Sequence, residues 1–332
     1  MKVTVVPAPP SLSRVKPATR EPLRVGLVQT KWHADPNEHL QVLAEGIAAA
    51  ASARAKIVFL PELTLSRYMA DTKPDFTPNS LAESLEDGPT YSFAARMAAE
   101  HNIRVHISLY ERQPFADGRG LNVAIVVDQA GRIVARTPKL HIPVTAGYYE
   151  NKYFAEGPAD GEPYPVYEFD FDGTQAQIGL PTCWDEWFAE VVRNYSLRGA
   201  EVLAYPTAIG SEPDHPDFDT EPLWRQVIVG NAIGNGTFMV VPNRYGNEGS
   251  INFYGSSFIC DPFGRILARA GREGDEVLVA DLDLDQRRDW LDLFPFLATR
   301  RPDTYDMLVE PVVNARAENG DGEDGGIAGV AF

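Results

Sequence analysis

The chain has 332 residues, 44% hydrophobic and 23% charged, the composition of a soluble globular protein with enough apolar matter for a large core. Its 30 Lys and Arg stand against 47 Asp and Glu, a formal charge of −17 that repels a phosphate backbone and argues against a nucleic-acid partner. Two cysteines exclude a disulfide framework, and the longest apolar runs fall far short of the ~20 residues a membrane span needs.

Residues 1–22 carry Pro7, Pro9, Pro10 and Pro17 among scattered cations and lack a continuous apolar segment. They read as a flexible arm rather than a secretory signal, and a cytoplasmic location is expected. Residues 23–29 alternate as a strand, and Leu40, Leu43, Ala44, Ile47 and Ala51 recur at helical spacing behind Pro36. A fully apolar strand at 56–60 ends at Pro61; a helix around 91–100 leads to a strand at 104–110. Residues 121–128 and 132–137 flank Gln129-Ala130-Gly131 as a hairpin. The irregular stretch 139–165 is long for a compact domain, where such connections tend to carry function. A second hairpin (166–171, 175–180), a helix through 191–197, a strand at 201–205, a helix at 223–233 and strands at 237–241, 257–260, 265–268 and 277–282 repeat the alternation. No linker divides the halves, so residues 23–310 read as one α/β domain with two sheets face to face and helices outside. Residues 311–332 are acidic and glycine-rich and read as a flexible tail.

Cys183 stands where an apolar strand meets a helix. A helix N-terminus lowers a thiol's pKa and offers free backbone N–H groups, although a buried structural cysteine fits the same position. Two further strand ends carry ionisable groups: Glu62 after Pro61 and Lys139 after Pro138. A carboxylate can take the thiol proton and an ammonium can hold an oxyanion, and α/β sheets gather ligand sites at such edges.

Pro61-Glu62-Leu63, Pro138-Lys139-Leu140-His141-Ile142-Pro143 and Thr182-Cys183-Trp184-Asp185 resemble, in family order, the glutamate, lysine and cysteine motifs of the nitrilase superfamily of carbon–nitrogen hydrolases. The resemblance spans roughly residues 23–305. It implies a four-layer α-β-β-α sandwich of two similar halves that pairs through its outer helices, hence a homodimer or larger homo-oligomer. It also implies Glu62 as base, Cys183 as nucleophile, Lys139 and the Trp184 backbone N–H as oxyanion donors, and Glu150, in Gly147-Tyr148-Tyr149-Glu150, as a second carboxylate. No cofactor is expected. The six histidines show no metal-ligand spacing, so no metal is expected either, and His141 reads as structural support. Asp281, Asp283 and Asp285 read as the wet face of a strand, and the glycines at 230–236 as a helix stop.

Within the superfamily, residues 183–188 and 206–213 look most like N-carbamoylputrescine amidases, with some likeness to β-ureidopropionase-type enzymes. The implied reaction converts a small N-carbamoyl amine to amine, ammonia and carbon dioxide. Glu212 would grip the distal amine, with Trp187 and Tyr149 also at the substrate. Asp185 and Glu186 suit a cationic tail too, though a helix dipole favours acids there for any substrate. An N-carbamoyl-β-amino acid amidase, an aliphatic amidase or a nitrilase would use the same triad, the carboxylate-bearing case bringing an Arg such as Arg67, Arg193 or Arg244 to the substrate. An inactive scaffold is the reading from another class.

Overall fold

The computed structural model describes residues 1–145, 147–158 and 161–310, so the expected acidic tail lies outside the described residues. In chain order the strands are β1 (Lys2–Val6), β2 (Leu23–Gln29), β3 (Ile57–Phe59), β4 (Arg104–Glu111), β5 (Leu121–Val127), β6 (Ile133–Pro138), β7 (Val166–Phe171), β8 (Thr174–Gly179), β9 (Val202–Ala204), β10 (Phe238–Val241), β11 (Tyr245–Asn247), β12 (Asn252–Tyr254), β13 (Phe258–Cys260), β14 (Ile266–Arg269) and β15 (Glu276–Leu282). The helices are α1 (Pro36–Ser52), α2 (Pro89–His101), α3 (Ala189–Leu197), α4 (Glu221–Asn235) and α5 (Asp285–Leu293).

Seven strands form one sheet in the order β1-β15-β2-β3-β4-β5-β6 and six form another, β14-β13-β10-β9-β8-β7; β11 and β12 make a separate hairpin. Strand alternation decides the layers. Val25, Phe59 and Val126 face Phe169, Ile178 and Val240 across the interior between the sheets. Val28, Val58 and Val105 point the other way, against Leu43 and Ile47 of α1 and Phe93 and Met97 of α2. On the far side Leu203, Met239 and Phe258 receive Val191 and Val192 of α3 and Trp224 and Ile228 of α4. The result is the expected α-β-β-α sandwich. Gly236 ends α4 at φ 64°, the left-handed cap the glycine-rich stretch foretold.

The arm corrects an expectation, because residues 1–22 are tied down. β1 extends the first sheet parallel to β15, from Lys2 opposite Glu276 to Val6 opposite Ala280. Arg14 donates to Asp283 and Asp289, and Thr19 and Arg20 donate to Asp285. Only Asp281, which holds Arg24, lies on β15; Asp283 and Asp285 sit at the start of α5 and receive the arm. The arm's scattered cations are thus the counterpart of the body's excess acid, a pairing between ends of the chain that local composition does not reveal. Among the described residues no helix is long and apolar enough to cross a membrane.

Candidate active site

Three strands deliver the chemistry at one edge of the sandwich. β3 runs into Pro61-Glu62, β6 into Lys139, and β8 through Leu180 and Pro181 into Cys183. Two of these turns are strained, with Leu63 at φ 48° and Cys183 at φ 42°, a region L residues seldom occupy. The Cys183 turn is tied to its neighbour by the Cys183 N–H, which donates to the Pro206 carbonyl at 3.1 Å.

Glu62, Lys139 and Glu150 are buried together. Lys139 Nζ donates to Glu62 Oε1 at 2.9 Å and to Glu150 Oε2 at 2.6 Å. An ammonium has three N–H groups, so one is left for a further acceptor. Asn122 Nδ2 donates to Glu62 Oε1 at 2.7 Å, whereas Glu62 Oε2 has no partner among the described residues. Tyr68 donates its hydroxyl to Glu150 Oε1 at 2.8 Å. Glu62 thus keeps one buried lone-pair oxygen and Lys139 one N–H, which is what a base and an oxyanion donor require.

The electrostatics follow from burial and company. Burial alone would lower the Lys139 pKa, but Glu150 and Glu62 outweigh it and hold the ammonium well above its ordinary value. Burial pushes the Glu150 carboxyl up to about 7, opposed by Lys139 and reinforced by Glu62. The Cys183 thiol is pushed well above the usual thiol range by burial and by Glu62, with Lys139 pulling the other way. This reverses the expected lowering at a helix N-terminus. The element that follows Cys183 is a five-residue 3-10 turn, Cys183–Trp187, and a dipole effect of ~0.3–1 kcal/mol is small beside full desolvation. At rest Cys183 is therefore a neutral thiol, which could act as a nucleophile only with a base beside it.

Asp185 holds the turn together rather than facing a ligand. Its carboxylate accepts the N–H groups of Thr182 and His141 at 3.1 and 3.0 Å, and the His141 ring Nδ1 at 2.7 Å. His141 in turn stacks on Phe188, as structural support. Glu186 accepts the Trp224 indole N–H, and burial raises its carboxyl well above the usual range. Glu186 Oε2 has no partner among the described residues, but neither acid lines the cavity that opens on Cys183.

A narrow cavity of roughly 50 Å³ opens on Cys183, lined also by Pro143, Thr145, Tyr148, Glu150, Trp184, Ala208, Ile209 and Glu212. Glu212 lies there as expected. Trp187 and Tyr149 do not: Trp187 packs behind Trp184, and the Tyr149 ring lies beneath the Lys73 ammonium. Tyr148 takes the place foreseen for its neighbour: its N–H closes a turn on the Thr145 carbonyl, while the Tyr149 N–H is drawn to the Ala70 carbonyl. Sequence reasoning also missed Asn122 and Tyr68. Asn122 had a signal, a lone amide inside the apolar run of β5; Tyr68 had none. Arg67, Arg193 and Arg244 all lie outside this lining, engaged with Asp71, the Gly234 carbonyl and Glu248 respectively.

Residues 24–292 match the carbon-nitrogen hydrolase family. The chain is similar to a citrullinase of Francisella tularensis subsp. tularensis (36% identity over 295 residues, 86% of this chain and 98% of that protein). It is also similar to an N-carbamoylputrescine amidase of Arabidopsis thaliana (34% identity over 276 residues, 80% and 88%). Among solved structures, a carbon-nitrogen hydrolase from Helicobacter pylori G27 superposes with a TM-score of 0.78 at 28% identity, covering 88% of this chain and 99% of that one.

Proposed function

The chain belongs to the carbon–nitrogen hydrolase family, whose members act on amide-like C–N bonds, and from that premise we propose that its substrate is an N-carbamoyl amine with a cationic tail. The observation that carries this reading is the cavity on Cys183: among the described residues its charged lining groups are carboxylates, Glu150 and Glu212, and no Arg or Lys lines it. A substrate carboxylate would find no guanidinium there, whereas an ammonium would find Glu212.

In the proposed reaction Glu62 Oε2 takes the Cys183 proton as sulfur attacks the ureido carbon. The oxyanion rests on the free N–H of Lys139 and on the Trp184 amide. As the tetrahedral species collapses, the bond to the terminal nitrogen breaks and Glu62 returns its proton, so ammonia leaves and an S-carbamoyl enzyme remains. Water then adds to that carbonyl, giving a proton to Glu62, with Glu150 as second carboxylate; the C–S bond breaks and Glu62 reprotonates the thiolate. The carbamate released falls apart to amine and carbon dioxide. The buried acids and the ammonium titrate as one cluster. Retained Glu62, Lys139 and Cys183 speak for an enzyme rather than a scaffold.

Ammonia release from N-carbamoylputrescine, citrulline, N-carbamoyl-β-alanine, an aliphatic amide and a nitrile tests the reading, each beside Cys183→Ala. The expected result is preference for the cationic ureide, abolished in Cys183→Ala, with a rise in KM of at least fivefold for that substrate in Glu212→Gln. Preference for N-carbamoyl-β-alanine would overturn the assignment, and preference for citrulline, whose tail carries a carboxylate beside its ammonium, would refute a purely cationic tail. The same reading includes a homo-oligomer in the cytoplasm; exposed Leu197 on α3 and Leu223 on α4 support pairing through the outer helices, and light scattering measures it.

A further inference from the structure

We propose that Arg244 and Glu248 form a positioning pair that sets both carboxylates of the site, an inference that rests on the catalytic reading above. Arg244 follows β10, and its side chain is buried. Nη2 donates to the carbonyls of Glu62 at 2.6 Å and Leu63 at 3.0 Å, and both terminal nitrogens reach the Ser66 carbonyl at 3.3 Å. Those carbonyls belong to the turn that carries Glu62 and contains the strained Leu63. Nη1 meets both oxygens of Glu248 at 2.9 Å. Glu248 Oε2 also accepts the Tyr68 N–H at 2.8 Å, and the Tyr68 hydroxyl is the donor to Glu150. Arg67 closes the arrangement by donating to the Glu248 carbonyl at 2.6 Å while clasping Asp71.

One ion pair from the second half therefore holds the backbone under Glu62 and, through Tyr68, the residue that orients Glu150. Neither partner lines the cavity on Cys183. A planar guanidinium can serve several carbonyls and a carboxylate at once, which a lysine ammonium, a point charge on a flexible stem, does not reproduce. Displacing a reacting group by ~1 Å can cost a factor of about 100 in rate, so a small release of this turn registers in catalysis. A pair that served folding alone would alter stability and leave the surviving folded molecules with an unchanged kcat and thiol environment.

The test uses the full chain carrying Arg244→Lys, Glu248→Gln or Glu248→Asp, with folding checked by circular dichroism and thermal unfolding. Two readouts are taken where the proteins are folded. For ammonia release, Arg244→Lys and Glu248→Gln should lose at least tenfold in kcat with KM within twofold, and Glu248→Asp, which keeps the charge, should recover part of the loss. For the pH profile of Cys183 alkylation by iodoacetamide, both should move from the wild-type curve toward that of Glu62→Gln; Cys183 lines the cavity and Cys260 does not, and subtracting the Cys183→Ala background isolates the Cys183 signal. Alkylation needs no substrate, so it decides the positioning role even if every ureide fails, an outcome that would sink the substrate assignment alone. A folded Arg244→Lys or Glu248→Gln protein with the wild-type alkylation profile overturns the proposal.

Discussion

The turn after β3 and the turn after β8 do the same thing with opposite electrostatics. Each follows a strand and a proline, each holds a non-glycine residue at positive φ, and each presents one ionisable side chain to the candidate site. The Glu62 turn is held from outside by a cation: Arg244 gathers its carbonyls, while Ser108 Oγ accepts the Leu63 N–H. The Cys183 turn is held from within by an anion, Asp185, which gathers the N–H groups of Thr182 and His141. The difference has a physical reason. A capping anion beside Glu62 would further raise the cost of a buried carboxylate, whereas Asp185 caps N–H groups around a thiol that is neutral at rest.

The comparison breaks most sharply at the ammonium between the halves. Lys139→Met should lower kcat about 100- to 1,000-fold, the ~2.7–4 kcal/mol typical of one oxyanion donor, measured by steady-state ammonia release. Next comes the anion of the Cys183 turn. Asp185→Asn keeps the shape but weakens bonds to two backbone N–H groups and the His141 ring, and should cost roughly 1.5–3 kcal/mol in denaturant unfolding, the worth of hydrogen bonds to a charged group. A protein of unchanged stability would remove Asp185 from that role.

The smallest effect concerns Glu150. Its folded carboxyl sits near 7 against an ordinary value of 4.5, so between those values the folded state keeps a proton that the unfolded state releases. The unfolded state then binds fewer protons, and the contribution of this group to stability falls as pH rises through that window. The unfolding midpoint of Glu150→Gln should therefore decline less between pH 5 and 8 than that of the wild type. Parallel curves would mean that Glu150 is not the group that titrates there.

Much of this was legible in the chain. Alternation marked β2 as a strand, although it is buried on both faces, and the 3.6-residue spacing of α1 foretold the face that buries Leu43 and Ile47, although His39, Gly46 and Ala50 complete its stripe in place of Leu40, Ala44 and Ala51. The approach of Glu62, Lys139 and Cys183 was legible only through the resemblance of their flanking residues to known motifs, since each lone residue reads equally well as a surface charge or a buried thiol. Tyr148 against Tyr149 was not legible, because the side chain that faces a cavity depends on the rotation of an irregular turn that no periodicity controls.

What the sequence determined by itself is the layered architecture and the acidic excess, which follow from local pattern and composition, while the strand ends proposed to carry chemistry came through the resemblance of their motifs. Tertiary structure alone decided that the first 22 residues form an edge strand and an arm anchored on Asp283, Asp285 and Asp289. It alone raised the Cys183 thiol through burial and joined Arg244 to a turn about 180 residues earlier. Those outcomes depend on which groups are brought together out of water, and desolvation and long-range pairing have no signature in neighbouring residues.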